Sequence, residues 1–85
     1  MALSKKQKGE LETKITKVFK ISTDPAPEVF VILDYIHPAI KSGPYSFNEH
    51  VSLAFCQKDG TRIGSGSVVM TATKFYKKYL NQEVK

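Results

Sequence analysis

The sequence contains a single cysteine, Cys56, so no intramolecular disulfide is available to it. That favours a reducing compartment, and the cytoplasm is the expected location, with nucleoid or nuclear association as a variant. Long apolar runs are missing too. The longest spans residues 29–33, against the ~20 residues that a membrane helix needs. The N-terminus is charged from Lys5 onward, and no signal region is expected there. Arginine is almost absent, with Arg62 standing alone against twelve lysines. Sequence-specific reading of bases leans on the guanidinium fork, so its scarcity excludes strong base specificity for any nucleic-acid partner.

Chemistry-bearing motifs are equally scarce. The stretch Gly60-Thr61-Arg62-Ile63-Gly64-Ser65-Gly66-Ser67 lacks the Gly-Lys-Ser/Thr ending of a phosphate loop and the spacing of a dinucleotide fingerprint. A hairpin return strand accounts for it better, with glycines at a bulge or at a close approach by a backbone or a flat group. His50 and Cys56 lie six residues apart on a predicted strand, about 20 Å along it, and so form no dyad. With His37 they lack the paired spacing of a metal site. No cofactor, no metal and no enzymatic activity is expected.

What the chain does have is segregated charge. Residues 1–20 hold six lysines against Glu10 and Glu12, a net of +4. Residues 21–60 hold Lys41 and Lys58 against five carboxylates, a net of −3. Residues 61–85 return to +4. Eighty-five residues at 41% hydrophobic content make one small globular domain, for which dimerisation would be a natural reinforcement.

The expected organisation is a mobile basic arm over residues 1–12, a single α+β domain over 13–82, and a tail over 83–85. Residues 13–21 alternate as a strand, with Ile15, Phe19 and Ile21 on one face and Lys14, Thr16 and Lys20 on the other. Leu11, Ile15 and Val18 also fall at helical spacing, which makes a single helix over residues 4–20 the alternative to arm plus strand. Residues 22–27, with Pro25 and Pro27, break the chain. Residues 28–36 form a second strand, apolar on both faces. A loop follows at 41–44, then a third strand over 45–56, in which Glu49 is the misfit on the apolar side and marks a bulge or a rim. A Lys58-Asp59-Gly60 turn leads into a fourth strand over 61–69. Residues 72–80 form an amphipathic helix behind Thr71 as N-cap, with Lys74, Lys77 and Lys78 on its solvent face. The fold class is therefore α+β: a four-stranded antiparallel meander with a C-terminal helix on one face.

The leading functional expectation is a non-enzymatic module that binds single-stranded DNA or RNA. Lys14, Lys17, Lys20 and Arg62 would neutralise phosphates, assisted by Lys5, Lys6 and Lys8 of the arm, with Tyr35, Phe30 or Tyr45 available for stacking. The alternative is a protein-binding module, an inhibitor or adaptor, acting through an apolar strand or a sheet edge. The order of elements over residues 13–82 resembles that of the Whirly and PUR-repeat single-strand binders. That resemblance implies a nucleic-acid partner and a homodimer, and it transfers no individual site residue.

Overall fold

The computed structural model describes residues 3–21 and 27–84. The proline-rich break at 22–27 lies outside them except for Pro27, as does Lys85 of the tail. Helix α1 spans Lys5–Thr13 and is followed by strands β1 (Val18–Lys20), β2 (Phe30–His37), β3 (Ile40–Ser42), β4 (Tyr45–Phe47), β5 (His50–Cys56) and β6 (Arg62–Thr71). Helix α2 (Ala72–Tyr79) runs into a 3₁₀ turn over Leu80–Gln82. The main sheet is antiparallel in the order β1-β2-β5-β6, and β3 and β4 form a separate hairpin. The α+β meander with a helix on one face is thus present, with a hairpin inserted between its second and third long strands.

The N-terminal segment differs from expectation. Where a basic arm was expected over residues 1–12, the chain is helical from Lys5. Ser4 and Gln7 form a reciprocal capping box, in which Ser4 Oγ accepts from Gln7 N–H and Gln7 Oε1 accepts from Ser4 N–H. Leu11 anchors this helix and is fully buried. Nor does a strand begin at residue 13. Residues 14–16 turn, with Lys14 N–H donating to the Leu11 carbonyl and Thr16 held at φ 75°. The regular strand is Val18–Lys20, paired with Ile32, Val31 and Phe30 respectively, and backbone bonds of Thr16 and Lys17 with Leu33 and of Ile21 with Val29 flank it.

The expected third strand is two elements. Tyr45–Phe47 pairs with Ile40–Ser42 across a turn at Gly43, whose φ is 58°, so the predicted 41–44 loop is largely a hairpin. Pairing with the main sheet begins at His50, immediately after Glu49.

Alternate residues Val31, Leu33, Val51 and Leu53 point to one side of the sheet, where Phe19, Leu11, Ala72 and Phe75 complete the core. Phe19 and Phe75 meet edge to face, with ring centroids 5.0 Å apart. Both helices therefore lie on the same face, and the Tyr76 hydroxyl donates to Glu10 Oε2 between them at 3.2 Å. Thr71 caps α2 as expected, its hydroxyl accepting from Lys74 N–H.

Candidate functional site

The seven predicted phosphate-binding cations come from α1, the turn after it, β1 and the start of β6, and four of them face carboxylates. Lys5 and Lys6 are exposed on the first turn of α1, on the helical side. Lys8, from the same helix, points toward Glu49 at 3.7 Å. Lys14 pairs with Glu83 at 2.6 Å, Lys20 with Glu28 at 3.6 Å, and Arg62 with Asp34 at 2.7 Å. Lys17 is exposed just before β1. Among the described residues only Lys5, Lys6 and Lys17 of the seven lack a carboxylate partner. The Arg62–Asp34 hydrogen bond holds the guanidinium charge more firmly and raises its pKa.

Glu49, the misfit in the apolar pattern, sits where β4 gives way to β5. It is only 6% exposed, and its Oε1 has no hydrogen-bond partner. Lys8 supplies the compensating charge. Asp34 of β2 is engaged by Arg62.

The other face of the sheet has no helix over it and divides into two halves. Strand pairing puts Ile32, Ala54 and Cys56 on this side. They are nonetheless buried, toward the end of the sheet where the β5–β6 turn lies. Gly60 in that turn lies against β1, with Val18 Cγ2 only 3.5 Å from where a Gly60 Cβ would stand. Arg62 reaches Asp34 across the same end. The turn is held by Asp59, whose carboxylate accepts from Thr61 N–H and whose pKa is lowered by that bond. Burial, followed by the nearby Asp59 charge, raises the pKa of the Cys56 thiol.

The glycine-rich stretch resolves as the sequence suggested. Pairing slips between Ala54 and Cys56 of β5 so that Arg62 and Ser67 flank an outlooped stretch of β6, with Gly64 at φ 59°. The flat group approaching a glycine is internal, since a Cβ on Gly66 would stand 3.1 Å from the Phe55 ring.

The second half of this face is uncovered. His37 of β2 and His50 of β5 stand opposite one another. His37 Nε2 shares a 2.7 Å hydrogen bond with Ser52 Oγ. His50 Nδ1 donates to the Asn48 carbonyl at 2.7 Å. His37, Pro38, Ile40, Phe47, Asn48, His50 and Val69 line a shallow, predominantly apolar groove of about 360 Å³. Tyr35 packs edge-on against His37, with centroids 4.8 Å apart, and also borders a second depression of about 560 Å³ with Ile15, Ile36 and Pro38.

This half concentrates exposed apolar surface. Tyr35, Ile40, Tyr45, Phe47 and Val69 are each more than half exposed, from 53% for Ile40 to 67% for Tyr45. An isolated exposed apolar residue needs no explanation, but a contiguous group of this kind does. The hairpin that supplies three of them was legible as apolar residues at 40, 45 and 47 around a Gly-Pro turn. Among the described residues no group of three or more His, Cys, Asp or Glu side chains is placed to hold a metal ion. No helix of the described residues is long and apolar enough to cross a membrane. No family model, curated protein or solved structure matches the chain.

Proposed function

We propose that this protein is a non-enzymatic protein-binding module, an adaptor or inhibitor, whose working surface is the uncovered half of the sheet and the hairpin beside it. The observation that carries this reading is the cluster of exposed Tyr35, Ile40, Phe47 and Val69 around an apolar groove with two histidines at its rim. Desolvating such a surface favours association with another apolar surface, at ~25 cal/mol per Å² removed from water, offset by the costs of ordering the two partners. Near this face Arg62 is matched with Asp34 and Lys20 with Glu28, which lowers the net field it presents to a polyanion.

A second reading keeps the single-stranded nucleic-acid partner. It is favoured by the exposed rings of Tyr35, Tyr45 and Phe47 with Lys41 on the adjacent strand, a combination suited to stacking and phosphate contact. One comparison separates the two. The tagged chain, a Phe47→Ser/Ile40→Ser variant and a Lys5→Ala/Lys6→Ala/Lys17→Ala variant are used to capture partners from native lysate, with and without nuclease. Protein binding through the groove predicts capture that survives nuclease and moderate salt, is lost in the first variant and is kept in the second. Nucleic-acid binding predicts nuclease-sensitive capture, with affinity falling at a slope of roughly −0.7 per neutralised phosphate on single strands.

A further inference from the structure

The two edges of the sheet are finished differently. At the β1 edge the C-terminal segment closes the strand: Val84 N–H donates to the Val18 carbonyl at 2.8 Å, and Glu83 bridges to Phe19. At the other edge, among the described residues, β6 has a strand only on its β5 side. Natural edges are commonly guarded by charge, proline or bulges. Residues 63–71 contain no charged residue and no proline. The outlooped stretch guards the first part of β6, but Ser67–Thr71 pair regularly with β5 and present a straight, neutral run of backbone.

We propose that a second copy of this chain pairs antiparallel with β6, about a two-fold axis at Val69. This register sets Val69 against the partner's Val69, Ser67 against the partner's Thr71 and Val68 against the partner's Met70. Val69 on Val69 is β-branched on β-branched, Ser67 on Thr71 is hydroxyl on hydroxyl and Val68 on Met70 is apolar on apolar, and no charge meets a like charge. Val69, 59% exposed in the single chain, is covered by its symmetry mate. The occupant is a copy of the chain because the edge is self-complementary about this axis and neutral, which lets two molecules of net charge +5 approach. The closed β1 edge then stops the main sheet at two chains, since among the described residues that sheet has no second open edge to propagate a filament. Val69 also lines the groove, so pairing brings the two grooves together across the axis on one doubled sheet.

Light scattering on the eluting full chain over rising concentration tests the proposal. The expected mass moves from 9.5 kDa toward twice that value. Val69→Lys places two ammonium groups opposite each other, and Val69→Glu two carboxylates. Each alone weakens self-association by about tenfold or more, and mixing the two variants restores the dimer. Circular dichroism of each variant checks that the fold is kept. A wild-type chain that stays monomeric throughout, or a dimer indifferent to both substitutions, overturns the proposal, whatever the groove itself binds.

Discussion

At the scale of residues, the most unusual side chain is Glu49. A buried carboxylate is costly unless it is paired, and here one oxygen has no hydrogen bond while Lys8 supplies the charge from 3.7 Å. Lys8→Ala is expected to lower unfolding free energy by about 1–2 kcal/mol, because it leaves the carboxylate buried without its cation. Adding Glu49→Gln to that variant recovers part of the loss, since the charge is then gone as well. Urea denaturation of the two single variants and the double variant checks this, and an unchanged Lys8→Ala midpoint counts against the pairing. The lysines themselves were visible in the sequence, but their commitments were not. Lys14 and Glu83 are 69 positions apart, and only the fold brings them to 2.6 Å.

At the scale of elements, periodicity located β2, β5, β6 and α2, whose apolar spacing follows from the face each one buries. It failed where the pattern was short or ran on in phase. Helix α1 buries Leu11 alone, so in its polar stretch the helical spacing of Leu11, Ile15 and Val18 did not outweigh the alternation of residues 13–21, although Ser4-x-x-Gln7 carried a capping box. Tyr45 and Phe47 alternate in step with Val51 and Leu53, which merged the hairpin with β5. Glu49 was the visible sign of the break. The turn joining α1 to β1 holds Thr16 at φ 75°, a region where a β-branched residue is strained. Thr16→Gly should therefore raise stability by up to about 1 kcal/mol, net of the extra chain entropy, seen as a higher melting temperature. A lower melting temperature would place the strain elsewhere.

At the scale of the whole molecule, the fold is finished on one side and unfinished on the other. The helical side is sealed by Leu11, Phe19, Ala72 and Phe75, and its surplus lysines face outward from α1 and α2. The opposite side leaves an apolar groove, a hairpin of exposed rings and a neutral edge strand. The lysines of α1 and α2 thus lie on the side that the core has already satisfied, while the exposed apolar residues lie on the other. The fold class was legible in the sequence; the ion pairs that engage four of the seven candidate cations were not, because most of them join residues far apart in the chain.

Residue-resolved amide hydrogen exchange at low and high protein concentration tests this division most directly. If the open edge is completed by a second copy, the amides of Ser67–Thr71 that point away from β5 gain protection as concentration rises, while those of Val18–Lys20 stay unchanged. Equal and rapid exchange of those β6 amides at every concentration would contradict it.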